Sequence, residues 1–325
     1  WGSDVAQTRM PDAHFFTDVR AKGVKLVYIA PYFDPTASIV DEWVRVRPGT
    51  DGALALGFCH VVVKRGLSDE AHLRRTTSGP LLVRNDNGKF LKAADVSATG
   101  DAKTFMAYDS QAGQVVPDVY FSDKLALTGT WDVTLKDGKK VSCSTAHTLL
   151  LKKLEDYDPK TVSEITGVPA KDIERIAVEY ASAKPASIWA GTGINHWYHG
   201  DLIGRATIEL ACLTGNVGVQ GGGVSPWAGQ YLMRLNPTDY FFPKKEGGKP
   251  DERYRAVPLD TAYVVNGPTE TMANKDKLWR QIRCIWAAGG NLLGEASDQS
   301  NLTRKVLPQI ELIVSPEIEM STTAQ

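Results

Sequence analysis

The alternation of apolar and polar positions divides the chain into strands and helices of recognisable kinds. "VKLVYIAP" at 24–31 is a near-continuous apolar run, which predicts a strand covered on both faces. A shorter strand, "EWVRVRP", follows, and then "GTDGALALGFCHVVVKRG" predicts a helix with Thr50 or Asp51 as its N-cap and Gly66 just past its end. Before the first strand, "PDAHFFTDVRAKG" predicts another helix, opened by Pro11 and stopped by Gly23. Helices alternating with buried strands define an α/β sheet with crossover connections.

Residues 80–142 change character. "PLLVRNDNGKFLKAADV" and "GTWDVTLKDGKKVSC" carry hairpin signals around Asn-Gly and Asp-Gly, so a small β-rich insertion is expected there. Helical patterning then returns in "DPKTVSEITGVPAKDIERIAVEYASAK", two helices with Val168-Pro169 opening the second. "PASIWAG" reads as a buried strand and "GDLIGRATIELACLT" as a strongly apolar helix ended by Gly215. Residues 235–280 are polar and rich in Pro, Lys and Gly, which predicts a long surface excursion. "IRCIWAAGGNLLGEAS" is strand then loop, "DQSNLTRKVLPQI" a short helix, and "ELIVSPEIE" a closing strand. The expected organisation is therefore two Rossmann-like parallel-sheet domains, the second incomplete: residues 1–185 with the insertion, and residues 186–325 with the excursion.

Composition narrows the function. The 325 residues are 42% hydrophobic with a formal net charge of −1, and no long basic run offers a nucleic-acid surface. No apolar stretch approaches the roughly 18–20 residues of a membrane span. Cys59, Cys143, Cys212 and Cys284 are scattered and form no C-x-x-C pair, so no metal or iron–sulfur ligand set is read from them.

The chemistry concentrates in loops that follow strands, where open α/β sheets bind ligands. In "RPGTD", Gly49 permits close backbone approach, and Asp51 at a helix N-terminus either accepts from a purine edge or simply caps the helix. In "AAGGNLLGEAS", Gly289, Gly290 and Gly294 bracket Asn291, either to hold a diphosphate or to make a tight turn. "GTGINHWYHG" holds a G-x-G, but His196 stands where a dinucleotide fingerprint needs its third glycine, which disfavours an NAD site. The dense His196-Trp197-Tyr198-His199 run either faces a site or packs as an aromatic loop under the next helix.

Taken together, "WGSDVAQTRMPDAHFFTDVRAKGVKLVYIAP", "RPGTDGALALGFCHVVV", "GTGINHWYHGDL", "LTGNVGVQGGG" and "IWAAGGNLLG" resemble, in order, the catalytic α subunits of molybdenum enzymes of the dimethyl-sulfoxide-reductase family. The branch most similar contains respiratory nitrate, selenate, chlorate and perchlorate reductases with dimethylsulfide and ethylbenzene dehydrogenases. The resemblance implies an oxidoreductase with molybdenum bound by two molybdopterin guanine dinucleotides, and it implies that this chain is an internal piece of such a subunit. An iron–sulfur cluster is expected in a preceding segment, and an iron–sulfur β subunit as electron partner. The substrate is expected to be a small oxyanion or small organic molecule. A stand-alone nucleotide-binding module without redox activity is the alternative.

By the same resemblance, Gly2, Ser3, Asp4, Thr8, Pro31, Tyr32, Phe33, Gly49, Thr50 and Asp51 surround one dinucleotide. Asn291, Leu292, Gly294, Ser315 and Glu317 surround the other. Gly193, Asn195, His196, Trp197 and His199 lie near the pterin and the substrate funnel, with the histidines and Trp197 on the substrate side as the catalytic candidates. Many relatives carry Asn where this chain has Asp4, which leaves the role of Asp4 open. "HWYHGDL" and the 80–96 region look more like the periplasmic members, so a periplasmic location is expected.

Overall fold

The computed structural model describes residues 1–118, 122–197, 199–226, 284–287, 291–295, 299–317 and 320–324. The expected excursion at 235–280, with Gly289 and Gly290, lies outside the described residues. Two compact units result: Trp1–Asn195 with His199–Trp227, and His196–Tyr198 with Ala228–Gln325.

The first unit is a parallel sheet wrapped by helices. Helices α1 (Val5–Thr8) and α2 (Met10–Ala21) precede strand β1 (Val27–Ala30), and β1 pairs in parallel with β2 (Glu42–Arg45). On the far side, β8 (Ser187–Ala190) pairs in parallel with β9 (Gly223–Pro226). The first residues of the chain join the two pairs. Gly2 N–H donates to the Ile29 carbonyl (3.2 Å), the Trp1 backbone nitrogen donates to the Trp189 carbonyl (2.7 Å), and Gly191 N–H donates to the Trp1 carbonyl (2.8 Å). The sheet therefore runs β2, β1, residues 1–3, β8, β9. In order along the chain these are strands 3-2-1-4-5, and the direction of winding reverses between residues 1–3 and β8.

This arrangement moves one expected boundary. β8, helix α9 (Gly200–Leu213) and β9 belong to the first unit rather than to a second domain beginning at 186. The apolar pattern of "PASIWAG" marks a strand, but its neighbour is Trp1, 188 residues earlier.

Helix α3 (Asp51–Lys64) is the axis of this unit's core. Leu54, Ala55, Phe58, Cys59, Val61 and Val62 are buried along it, against α9, α8 (Ala170–Ser182), α7 (Pro159–Thr166) and α6 (Ala146–Leu154). The caps follow sequence chemistry. Asp158 accepts from the N–H groups of Lys160 and Thr161 to start α7, and Gly167 ends that helix at φ +77°. Asp69 caps α4 (Glu70–Thr76) by accepting from His72 N–H.

The insertion is present and has its own core. Strands β3 (Leu82–Arg84), β7 (Lys140–Thr145) and β6 (Thr130–Thr134) form an antiparallel sheet in the order β3-β7-β6. Between β3 and β6 lie helix α5 (Ala93–Val96) and the hairpin β4 (Met106–Asp109) and β5 (Gln114–Pro117). Leu82, Leu91, Met106, Val133, Val141 and Cys143 are buried together, and Tyr108 stacks on Trp131 at 4.0 Å between centroids. The Lys-Asp-Gly hairpin forms between β6 and β7. At Asn-Gly the chain turns and returns along the other edge of β3: Arg84 N–H donates to the Lys89 carbonyl (2.9 Å) and Leu91 N–H to the Leu82 carbonyl (2.8 Å), bridging Val83 to Phe90.

In the second unit, β10 (Cys284–Trp286) pairs in parallel with β11 (Leu312–Val314). The helix expected over "DQSNLTRKVLPQI" is irregular: a helical turn at Gln299–Asn301 passes into wide and tight turns at Leu302–Val306 and Leu307–Gln309. Pro308 removes a backbone donor and crowds the preceding turn. Among the described residues no helix is long and apolar enough to cross a membrane.

Candidate functional site

The carboxyl ends of β1, residues 1–3 and β8 carry most of the residues singled out in the first unit. The loop Gly191–Asn195 lies directly on Gly2: Gly193 N–H donates to the Gly2 carbonyl (3.0 Å). Side chains are excluded from this contact. A Cβ on Gly191 would collide with Ser3 and the Gly2 carbonyl, and one on Gly2 would stand 2.5 Å from Ile194, with Gly2 itself at φ +66°. Glycines thus bring two loops from opposite sides of the winding reversal into backbone contact. Gly193 and Asn195 are on this loop and exposed.

Around them, carboxylates are tied to specific donors. Asp51, the first residue of α3, is 5% exposed, and its Oδ1 accepts from the indole Nε1 of Trp1 (2.7 Å). Burial raises the Asp51 pKa, against the opposing pull of the Trp1 indole. Thr50 holds the N-cap position but spends its hydroxyl on the Arg47 carbonyl (2.7 Å), not on a cap bond. Asp4 Oδ1 accepts from Thr36 Oγ1 (2.6 Å), which in turn accepts from Ala6 N–H (3.0 Å). Thr8 Oγ1 donates to the Asp4 carbonyl (2.6 Å). Asp34, buried below, accepts from the Tyr28 hydroxyl and from Ala37 N–H (3.1 Å). Burial, with that carboxylate as partner, pushes the Tyr28 pKa far up.

What faces outward is aromatic and backbone. Tyr32 and Phe33, after Pro31, are 62% and 61% exposed, and Phe33 meets Trp43 edge-on at 5.3 Å. Gly49, at φ +78°, turns the chain into α3. The first-turn N–H groups of α3 have no intrahelical acceptor and carry the positive end of the helix dipole. His199 stands at the N-cap of α9 at φ +62°, making no side-chain cap bond. His196 and Trp197 are exposed and belong to the second compact unit.

The second unit holds a separate turn. Asn291 follows β10, and its Oδ1 accepts from Gly294 N–H (3.1 Å) and from Thr323 Oγ1 (2.6 Å). Thr323 Oγ1 also accepts from Leu293 N–H (2.9 Å). Leu292 opens the helical turn Leu292–Glu295. Beyond β11, Ser315 Oγ donates to Glu317 Oε1 (3.1 Å). Sequence reasoning reached Asn291, Gly294, Ser315 and Glu317 but missed Thr323. Nothing in "STTAQ" marks one threonine over another; only its hydrogen bonds do.

Parallel strands with this winding reversal and glycine-lined ends form the kind of crevice in which open α/β sheets bind ligands. The family model described as Molybdopterin oxidoreductase matches residues 1–325, and the chain belongs to that family. It is 33% identical over 376 residues to perchlorate reductase subunit alpha of Dechloromonas aromatica (strain RCB), covering 100% of this chain and 40% of that protein. It is 33% identical over 369 residues to respiratory nitrate reductase subunit alpha of Haloferax mediterranei, covering 100% of this chain and 37% of that one. Against dimethylsulfide dehydrogenase subunit alpha of Rhodovulum sulfidophilum the identity is 30% over 244 residues, 73% of this chain and 27% of that protein. The chain thus spans 40% or less of these relatives.

Family membership implies molybdenum and molybdopterin as cofactor. Among the described residues no group of three or more His, Cys, Asp or Glu is placed to hold a metal ion. The residues do fit the organic part of such a cofactor. At the strand ends the donors are backbone N–H groups and a helix N-terminus, suited to phosphate oxygens, and Asp4 and Asp51 are already paired with protein donors. In the second unit, a Cβ on residue 294 would fill the space beside the Asn291 amide.

Proposed function

We propose that this chain is the dinucleotide-binding middle part of the catalytic subunit of a molybdenum oxidoreductase carrying two molybdopterin guanine dinucleotides. The observation that carries this reading is the convergence of Gly2–Asp4, Pro31–Phe33, Gly49–Asp51 and Gly193 on the carboxyl ends of one parallel sheet. Its 3-2-1-4-5 order is what a Rossmann-like reading of the first unit requires. The cofactor supplies the two-electron redox change that accompanies transfer of an oxygen atom or hydroxyl to or from the substrate.

The protein's part is to bind and orient. Backbone groups at Gly2–Asp4 and the N-terminus of α3 hold one diphosphate, while Tyr32 and Phe33 cover the nucleotide with flat apolar faces. Asp51 fixes Trp1, and Asp4 fixes the α1 segment through Thr36, so both carboxylates act on the protein rather than on a purine edge. Asn291, Leu292, Gly294, Ser315 and Glu317 take the second dinucleotide. His196, Trp197 and His199 shape the substrate side, with the imidazoles and the indole as hydrogen-bond donors.

The names of the relatives, alpha subunits of reductases and a dehydrogenase, support a small oxyanion or small organic molecule as substrate and the presence of further subunits. An iron–sulfur β subunit as electron partner and a periplasmic location rest on the resemblance of the sequence motifs alone. Acid release of guanine from the purified holoprotein, with molybdenum measured on the same sample, tests the cofactor assignment. Two guanines per molybdenum are expected; protein free of both overturns it.

A further inference from the structure

Thr323 lies beyond the strands, nine residues after β11, yet it holds the turn that follows β10. Its hydroxyl has one proton. Donated to Asn291 Oδ1 at 2.6 Å, that proton leaves the oxygen lone pairs to accept Leu293 N–H at 2.9 Å. Gly294 N–H points at the same Asn291 oxygen (3.1 Å). An N–H must meet an oxygen and not the amide nitrogen, so the orientation of the Asn291 amide is fixed. With two donors on Oδ1, its acceptor capacity is filled. What the side chain has left to offer is Nδ2, a group with two protons and no acceptor, on a residue that is only half-buried.

The surroundings keep that group open. A Cβ on Gly294 would collide with Nδ2, and glycine removes it. Thr323 is itself held by a tight turn in which Ala324 N–H donates to the Ser321 carbonyl (3.1 Å) and to Ser321 Oγ (3.3 Å). A loop after one strand thus sets the side-chain geometry of the loop after its parallel neighbour, at the carboxyl ends of the pair.

We propose that Thr323 is a positioning residue for nucleotide binding: it locks the Asn291 amide so that Nδ2 donates to a diphosphate oxygen of a bound guanine dinucleotide. This rests on the reading of the Asn291–Gly294 turn as a dinucleotide site. Locking matters because a flipped amide presents its oxygen to the anion, which repels it; Thr323 adds a second donor to the one Gly294 supplies in holding Oδ1 away from that position.

Calorimetric titration of the full chain with GDP tests it, comparing wild type, Thr323→Val, Thr323→Ser and Asn291→Asp. Wild type is expected to take GDP at two sites, one in each unit. Thr323→Val, nearly isosteric, should weaken one of them about tenfold while leaving the other site and the melting temperature unchanged. Thr323→Ser keeps the hydroxyl and should restore binding to within about twofold. Asn291→Asp should weaken the same site, and adding Thr323→Val to it should cost nothing more, because both act through one amide. Undiminished GDP binding by Thr323→Val overturns the inference, as does a loss matched by a fall in melting temperature that serine does not repair. A wild-type chain that binds no GDP overturns the nucleotide reading itself, a separate outcome.

Discussion

The indole Nε1 of Trp1 donates to Oδ1 of Asp51 across 2.7 Å, tying the segment in the middle of the sheet to the first residue of α3. The bond aligns the N-terminus of the core helix with the strand end where Gly2 and Gly191 meet. Asp51→Ala leaves a half-buried indole N–H without its acceptor and should cost about 1 kcal/mol in urea unfolding. Asp51→Asn keeps an oxygen in place and should cost less. Equal losses in the two variants would show that the carboxylate charge, not the hydrogen bond, holds Trp1.

Stability should rest on α3 rather than on the surface ion pairs around it. Leu54 is 0% exposed, and truncating it to alanine should cost about 2–5 kcal/mol. Arg65 pairs with Glu174 at 2.7 Å but in solvent, so Arg65→Ala should cost less than about 1 kcal/mol. Thermal unfolding of the two variants side by side checks the ordering.

Glu209 on α9 gives a pH dependence of definite sign. Burial raises its pKa, so the folded state binds its proton more tightly than the unfolded chain does. The stability this confers is complete below the ordinary carboxylate range and is lost as pH rises through the folded-state value. Glu209→Gln removes that slope. Its urea midpoint should match wild type at pH 4 and exceed it at pH 8; parallel profiles would rule the assignment out.

Tyr32 separates binding from folding. It is 62% exposed, so Tyr32→Ala should shift stability by less than about 0.5 kcal/mol. If it covers a nucleotide, the first-unit GDP site should weaken severalfold. An unchanged titration would remove Tyr32 from the site.

Much of the first unit was legible because its signals are local. Pro159 and Gly167 bracket α7, Gly66 follows α3, and the apolar runs mark β1 and β8. The partner of β8 was not legible: period and composition identify a strand but carry no address for a neighbour 188 residues away. The β4–β5 hairpin was missed because "DSQAGQ" carries a weaker turn signal than Asn-Gly. At the site, glycines and an asparagine announced loops that approach something closely. They did not reveal that Asp51 is engaged by Trp1, or that Thr323 governs Asn291, since both facts exist only in three dimensions.

The insertion enters through β3 and leaves through β7, and Leu82 stands directly opposite Thr145 in their ladder. To α4 before it and α6 after it, everything between these two residues is equivalent to the tip of a hairpin. The module has its own buried centre, yet it also reaches the core around α3 through Leu127, and it meets the flanking helices where Asp123 pairs with Arg75 and Gly129 N–H donates to Thr148 Oγ1. A change of length in that lobe is therefore felt at α3 to the extent that it moves Leu127.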